Sequence, residues 1–198
     1  MSERTALLLI DLQNDFLHPK GAYGRAGQSS ATIAALPARL KPLAEQVRTA
    51  GGITIATLFT LVPGRGGDPL ISPHLKKLRP FLAGGDFAPG AWGQQLVDAL
   101  TPADFTVEKI AYSAFYMTRL EWVLRRSGIE RLFVSGIVTN GGVASTVRDA
   151  QVRDFECIVL EDGCAAFSDD IHRTAIEGLR PIARIATMAE AMQEAGAR

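Results

Sequence analysis

Two residues that could carry acid–base chemistry stand at the ends of apolar stretches. Asp11 ends the run "LLLID" and Lys109 ends the run "FTVEK". If both stretches are buried strands, desolvation raises the pKa of the carboxyl group and makes Asp11 a usable general acid or base. A nearby ammonium group would lower that pKa again and could stabilise an anionic substrate or transition state. Each residue also has a simpler interpretation, a cap or loop anchor for Asp11 and a solvated charge for Lys109.

A third chemical feature is the stretch "FVSGIVTNGGVASTVRDA", in which an apolar strand runs through a small polar turn into a helix. The turn contains Thr139, Asn140, Gly141 and Gly142, and no Cys, Ser or His stands at its apex. Backbone N–H groups at the start of the helix, with its positive dipole end, could bind an oxyanion or a carboxylate. Without further context, the two glycines favour a plain tight turn.

The elements that must position these residues are predicted from the hydrophobic pattern. Apolar runs of strand length alternate with segments of helical period, and most of the runs are continuous in hydrophobicity. Continuous apolar strands are typical of a parallel sheet that helices cover on both faces. The predicted strands are Ala6–Ile10, Ile53–Leu58, Phe105–Ile110, Leu132–Ile137, Cys157–Leu160 and Ala183–Thr187.

Helices occupy the intervals between the predicted strands. This alternation predicts an α/β fold with an open, doubly wound, Rossmann-like sheet, and 198 residues favour a single domain over residues 1–198. Ligands bind such sheets at the carboxyl ends of the strands, which is where Asp11, Lys109 and the glycine turn stand. The predicted helices are Ala31–Ala50, Leu120–Arg126, Gly142–Arg153, Asp170–Leu179 and a short helix from Met188.

The segment from Thr60 to Gly93 is dense in Gly and Pro and too long for a passive connection. Loops of this length usually cover a site or build an interface. Arg65, in "PGRGGDP", could bind a substrate carboxylate with two hydrogen bonds, although an exposed turn arginine is the simpler interpretation. Five aromatic side chains could wall a small pocket, or could equally serve ordinary packing: Phe16, Phe87, Trp92, Tyr112 and Phe115.

Charge and cysteine content narrow the class of function. The formal net charge is zero, with Lys and Arg spread along the chain, which argues against nucleic-acid and membrane partners and is compatible with self-association. The two cysteines, Cys157 and Cys164, lie on and just beyond one predicted strand, where opposite pleat parity opposes an intrachain disulfide. The N-terminal apolar run is too short for a signal peptide or a membrane span. These features predict a cytoplasmic protein.

Four stretches, in order along the chain, resemble the signature blocks of the isochorismatase-like hydrolase superfamily: "ALLLIDLQNDF", "EKIAYSAF", "SGIVTNGGVASTVRDA" and "LEDGCAAFS". The resemblance spans nearly the whole chain and implies a six-stranded parallel sheet with a cysteine-hydrolase site of Asp, Lys and Cys. It makes Asp11 the acid–base residue and Lys109 its partner, and the nucleophilic cysteine falls at Gly142. It also implies oxyanion-hole N–H groups at Val138 and Gly142, and a cis peptide bond between Ile137 and Val138.

The resemblance implies several accessory features as well. It indicates a hydrolase that needs no cofactor and acts on a small molecule. Nicotinamidase-type metal binding requires an Asp and His cluster after the second strand, and His74 alone lies in that region, which predicts no metal site. Family members usually associate through helices and loops beside the site, so a homo-oligomer, a dimer or larger, is expected.

Gly142 is the departure from the cysteine-hydrolase pattern, because glycine cannot form the thioester of the amidase branches. Cys164 matches a cysteine often present in the family's fourth block, and we interpret it as structural. True isochorismatases also resemble this chain in having glycine there, and they cleave a vinyl ether with a general acid and water. We therefore expect Asp11 to act as the acid on a vinyl ether in a small anionic or carbonyl substrate.

Two alternatives stay open. The turn "VTNGG" is closer to the "TNxCV" of the cysteine branches than to the "YAHxG" of true isochorismatases. That likeness favours an amide or another C–N bond, hydrolysed by water that Asp11 activates. The atypical turn is also compatible with an inactive member that binds a small molecule. Retention of Asp11 and Lys109 beside Gly142 favours an enzyme.

Overall fold

Six strands form one fully parallel sheet in the computed structural model, which describes residues 4–28 and 30–196. In chain order they are β1 (Arg4–Ile10), β2 (Ile53–Phe59), β3 (Phe105–Lys109), β4 (Ile129–Ile137), β5 (Glu156–Ala165) and β6 (Arg184–Ala186). Their order across the sheet is β3–β2–β1–β4–β5–β6. The prediction of an α/β protein with an open, six-stranded parallel sheet is confirmed.

Every predicted strand is present, and the largest difference is the length of β5. Its apolar run ends at Leu160, but the strand continues through Glu161 and Asp162 to Ala165. A register shift between Val134 and Gly136 of β4 lets the two strands keep pairing along this extension. The hydrophobic pattern could not show the extension, because acidic residues interrupt it.

Eight α-helices are described, and five of them lie close to the five predicted helices. The short helices Asn14–Leu17, Ala22–Arg25 and Pro73–Leu78 were not predicted. The main difference is at the glycine turn, where residues Thr139–Val143 form a π-helical turn and the α-helix begins only at Ala144. Short 3-10 helices cover Trp92–Gln94 and Asp98–Leu100. The α-helices are α1 (Asn14–Leu17), α2 (Ala22–Arg25), α3 (Ala31–Thr49), α4 (Pro73–Leu78), α5 (Leu120–Arg126), α6 (Ala144–Gln151), α7 (Asp169–Glu177) and α8 (Met188–Gly196).

Two hydrophobic layers hold the helices against the sheet. In β1, Ala6, Leu8 and Ile10 face the layer that contains apolar residues of α5, α6 and α7. Leu7 and Leu9 face the opposite layer, which contains apolar residues of α3 and α8. Because both faces of β1 are buried, its run of five apolar residues does not alternate with polar ones.

The centre of the sheet is the point at which the strand order reverses. From β1 the chain adds β2 and β3 on one side and then returns to add β4, β5 and β6 on the other. A crevice opens at the carboxyl ends of the strands that flank such a reversal, and ligands bind there. The reversal lies between β1 and β4, so it places Asp11 beside the turn that follows β4.

The long segment from Thr60 to Gly93, which was expected to cover a site or build an interface, packs beside the residues that follow β1. It contains α4 and contributes to a separate hydrophobic cluster. The closest rings are those of Phe16 and Phe87, with centroids 4.5 Å apart, and those of Phe16 and Tyr23, 4.8 Å apart. We call the following residues the aromatic cluster: Phe16, Tyr23, Phe59, Phe81, Phe87 and Phe167.

Two further features concern the helices and the cysteines. In the described part of the chain, every helix is too short or too polar to cross a membrane. Cys157 and Cys164 are both buried and free, but they lie in the same hydrophobic layer rather than on the opposite faces of the sheet that their pleat parity predicted, because the pairing of β4 with β5 shifts register between them.

Gly136 gives a direct test of how closely β4 approaches β1. Its φ angle is +115°, and a Cβ atom at this position would lie 2.1 Å from the carbonyl oxygen of Ile10. We expect Gly136→Ala to lower the free energy of unfolding by at least about 2 kcal/mol, because both strain and overlap are introduced next to Asp11. Urea unfolding measures this change. Gly66→Ala is the matched control, since a Cβ atom there has no heavy atom within 4 Å. Equal stability of the two variants would contradict the close packing.

Candidate active site

Asp11 and Lys109 form a buried ion pair at the carboxyl edge of the sheet. Lys109 Nζ lies 2.8 Å from Asp11 Oδ2, and the residues are 2% and 5% exposed. The ammonium group also donates to the carbonyl oxygen of Ala111 at 2.9 Å. Burial raises the pKa of the Asp11 carboxyl above its usual value, and the Lys109 charge offsets part of that rise. The sequence prediction that these two residues meet is confirmed by this distance.

The strand between them completes the environment of the pair. The backbone N–H of Asp11 donates to the carbonyl of Thr57, and the Thr57 hydroxyl donates to Asp11 Oδ1 at 3.1 Å. Lys109 Nζ stands 5.4 Å from the centroid of the Phe59 ring, a cation–π distance. Asp11 has a left-handed φ of +57°, where the chain leaves β1. Two residues of β2 therefore contact the two charges: Thr57 contacts Asp11, and Phe59 contacts Lys109.

Gly142 lies against the carboxylate of this pair. A Cβ atom placed on Gly142 would be 3.2 Å from Asp11 Oδ2 and 3.0 Å from the carbonyl oxygen of Ile137. A side chain at this position would therefore begin in contact with the acid–base residue. Because residue 142 is glycine, the space next to Oδ2 contains no side-chain nucleophile.

The backbone of the turn is arranged around one carbonyl group. The peptide bond between Ile137 and Val138 is cis, as the resemblance implied. The carbonyl of Val138 accepts hydrogen bonds from the N–H groups of Gly141, at 2.9 Å, and Val143, at 3.3 Å. Tyr112 covers this turn from outside, because a Cβ atom on Gly141 would lie 3.2 Å from its ring.

The residues directly after Asp11 connect the site to the long segment. Gln13 is fully buried, accepts from the N–H of Phe59 and donates to the carbonyl of Gln94. Asn14 donates to the carbonyl of Trp92 at 2.9 Å. Asp15 accepts from the N–H groups of Ala22 and Phe87. These side chains satisfy loop backbone groups, so their role is to anchor the segment beside the site.

The structure separates the aromatic residues that were predicted to wall a pocket. Phe16 and Phe87 belong to the aromatic cluster, and Tyr112 is half-exposed at the turn. Phe115 instead packs in the core against Phe155, with ring centroids 5.9 Å apart, so its assignment as a pocket wall is replaced by a core assignment. Trp92 is exposed and its ring contacts His18.

Two polar predictions also lie apart from the ion pair. Arg65 is exposed, in a tight loop closed by a bridge between Pro63 and Pro69. Asn140 is exposed and lines an open depression of about 360 Å³ between α6 and α7. Neither residue has a described contact with Asp11 or Lys109.

His172 was missed by the sequence analysis, although it contacts the glycine turn. The Thr139 hydroxyl, fully buried, lies 2.8 Å from His172 Nδ1. Burial lowers the pKa of His172, and the charges of Asp169 and Glu161 oppose that change. His172 lies on α7, far along the chain from the turn, so no local pattern could reveal the pairing.

The cysteines are unsuited to replace the missing nucleophile. Burial raises the pKa of Cys157 to about 12, and it raises the pKa of Cys164 further. Cys164 Sγ lies against the carbonyl of Val134 in the core, one strand away from the ion pair. Within the described residues, no group of three or more His, Cys, Asp or Glu side chains is placed to hold a metal ion.

The chain is similar to known hydrolases. A family model described as "Isochorismatase domain" matches residues 5–191. Ureidoacrylate amidohydrolase RutB of Caulobacter vibrioides is 36% identical over 170 residues, which cover 80% of this chain and 75% of that protein.

Solved structures show the same architecture. A cysteine hydrolase from Pseudomonas syringae pv. phaseolicola has a TM-score of 0.83 and 26% identity, covering 98% of this chain and 93% of that one. N-carbamoylsarcosine amidase from Thermoplasma acidophilum has a TM-score of 0.74 and 22% identity, covering 93% and 96%. The latter shows likeness of fold alone.

The burial of His172 beside Thr139 predicts that the stability of the protein depends on pH. Because burial lowers the folded-state pKa of His172 below 6.5, the unfolded chain binds the proton more readily. The stabilisation is therefore complete above pH 6.5 and is lost as the pH falls towards the folded-state pKa. We expect the difference in unfolding free energy between wild type and His172→Asn to shrink between pH 7.5 and about 5. Urea unfolding at several pH values measures it, and a difference that stays constant or grows on acidification would contradict the assignment.

Proposed function

The chain belongs to the isochorismatase family of hydrolases, and we propose that it hydrolyses a C–N bond in a small amide or ureido substrate with water as the nucleophile. One observation carries the proposal: the position at which a cysteine side chain would begin lies 3.2 Å from Asp11 Oδ2 and is empty of side-chain atoms in Gly142. That position is one bond length from the Gly142 Cα atom, so water cannot occupy it, but the volume beyond it that a cysteine side chain would fill is left to water beside Asp11.

Two likenesses favour the C–N bond over the vinyl ether that we expected from the sequence. The 36% identity to a ureidoacrylate amidohydrolase extends over most of both chains. The turn "VTNGG" is also closer to the turn of the cysteine branches than to that of true isochorismatases. Both observations connect this chain to enzymes that cleave C–N bonds.

The arrangement supports a complete proton cycle. Ionised Asp11 takes a proton from water as the water oxygen bonds to the substrate carbonyl carbon, and the carbonyl electrons move onto oxygen. Backbone N–H groups of Val138 and Gly142 stabilise the resulting oxyanion. Asp11 then returns the proton to the leaving nitrogen as the C–N bond breaks, which regenerates the carboxylate. Lys109 orients Asp11 and stabilises its ionised form at the start of the cycle.

The vinyl-ether reaction is the second candidate. It requires Asp11 to carry a proton before the reaction, because the acid protonates a carbon atom of the substrate. Burial favours that state by raising the pKa of Asp11. The 2.8 Å contact with Lys109 favours the ionised state instead, which is the state a general base needs.

Replacement of Asp11 tests whether the site is catalytic. We expect wild-type protein to release ammonia from ureidoacrylate, and Asp11→Asn to reduce kcat by about 10²–10⁴-fold because the amide cannot accept the proton. Asp170→Asn, an exposed residue of α7, is the control and should retain full activity. Pyruvate release from isochorismate is measured with the same proteins.

The outcomes of this assay separate the functions. Asp11-dependent ammonia release supports C–N hydrolysis, whereas Asp11-dependent pyruvate release alone would replace it with the vinyl-ether reaction. Saturable binding of both compounds without any product would indicate a non-catalytic binding protein.

The two reactions predict opposite changes of kcat/KM with pH. If Asp11 acts as a base, kcat/KM rises with pH as the carboxyl group ionises. Since burial raises its pKa above 3.8, this acidic limb should lie above the range of an exposed carboxyl group, about 4. Steady-state kinetics between pH 4 and about 9 measure the profile. A rate that falls with increasing pH through this limb would instead identify Asp11 as an acid.

A further inference from the structure

A half-buried arginine stands at the edge of the aromatic cluster without a carboxylate partner. Arg79 Nε donates to the Tyr23 hydroxyl at 3.1 Å, and Nη1 donates to the carbonyl of Leu78 at 3.0 Å. Among residues 4–28 and 30–196, no Asp or Glu oxygen lies within 4.0 Å of the Arg79 guanidinium group. Arg25, in the same region, is paired with Asp86.

Ring contacts connect this arginine to the ion pair. The Phe59 ring lies 5.4 Å from Lys109 Nζ, and its centroid is 6.2 Å from that of Phe16. The Phe16 ring in turn packs on Tyr23 at 4.8 Å. Phe59, Phe16 and Tyr23 therefore form a continuous chain of packed rings between Lys109 and Arg79.

The Tyr23 hydroxyl keeps its proton. Burial raises the pKa of Tyr23, the hydrogen bond from Arg79 lowers it, and the nearby groups of Tyr112 and Asp11 add to the rise. The Tyr23 hydroxyl is thus neutral at physiological pH. It accepts from Arg79, so its own proton is available to a further acceptor.

Tyr23 is held too firmly for this arrangement to be a mobile surface contact. It is 6% exposed, its ring stacks on Phe167 with an interplanar angle of 6°, and it meets Phe81 edge to face. A fixed phenol that accepts from Nε restricts the orientation of the guanidinium plane. The remaining donors of Arg79 then have a defined direction, which a planar carboxylate can match with two hydrogen bonds.

We propose that Arg79, oriented by Tyr23, binds a carboxylate at the far end of the substrate while the scissile carbonyl group lies at Asp11. The inference rests on the proposed hydrolysis and deepens it, because it defines the substrate as a small amide or ureido acid. It also replaces Arg65, which the sequence suggested for this role, with a residue that contacts the chain of rings leading to the ion pair.

Two matched ligands that cannot be hydrolysed test the proposal. 4-Oxopentanoate has a carbonyl group and a carboxylate, and 5-hydroxypentan-2-one has the same carbonyl group with an alcohol instead of the carboxylate. Ligand-observed NMR titration gives Kd for each. We expect wild type to bind the carboxylate about 10–100-fold more tightly than the alcohol, the effect of a charge-assisted contact.

Variants of three residues locate the origin of that preference. Arg79→Met should abolish it by weakening carboxylate binding alone, and Arg79→Lys should retain part of it because the charge remains. Tyr23→Phe should weaken carboxylate binding by a few-fold, since the arginine loses its orienting partner. Arg65→Met is the matched control and should preserve the preference.

Several outcomes would overturn the proposal. These are equal affinity of wild type for both ligands, absence of saturable carboxylate binding, a preference that survives both Arg79 variants, and an equal loss in Arg65→Met. Because neither ligand reacts, the result is independent of turnover. A protein that hydrolyses nothing yet shows the Arg79-dependent preference loses the proposed function alone. An active amidohydrolase without the preference loses this inference alone.

Discussion

Two opposite charges that are almost wholly removed from water constrain the rest of this structure. Removing either charge from water without the other costs several kcal/mol, so Asp11 and Lys109 must remain within hydrogen-bonding distance. They come from β1 and β3, which are not neighbours, and β2 supplies the hydroxyl of Thr57 and the ring of Phe59 between them. The site therefore depends on the register of three strands rather than on a local motif.

The same constraint extends to the long segment, because its anchors follow Asp11 directly in the chain. Gln13 bonds to backbone on both β2 and the 3-10 turn near residue 94, and Asp15 holds the N–H of Phe87 at 2.6 Å. Buried polar groups lose stability when a partner is removed, so these bonds fix the segment strongly. A displacement of the aromatic cluster would consequently disturb the strand end that carries the acid–base residue.

Features that depend on a local residue pattern could be predicted from the sequence, and contacts between distant segments could not. Apolar runs of strand length, most of them continuous, predicted all six strands, and a parallel sheet brings their carboxyl ends together, so the pairing of Asp11 with Lys109 was accessible. The contacts of Arg79 with Tyr23 and of His172 with Thr139 were not accessible, because each joins segments that are distant in the chain. Phe115 was misassigned since an aromatic residue after a strand can turn towards a pocket or into the core with equal ease.

Because residue 142 is glycine, the protein must position the substrate and the nucleophile by non-covalent contacts alone. A thiol is held in the site by its covalent bond to the protein, so only its rotamer has to be fixed. A water nucleophile has no such bond and must be positioned by contacts alone. If water attacks, the substrate carbonyl must be held still against Asp11 by contacts elsewhere, and backbone donors at Val138 and Gly142 must meet the developing charge. In the reaction that we propose, a carboxylate bound at Arg79 supplies that remote contact and can orient the reacting carbon. With glycine at position 142, the proposed attack by water therefore depends on the proposed carboxylate contact at Arg79, which the hydrogen bond to Tyr23 orients.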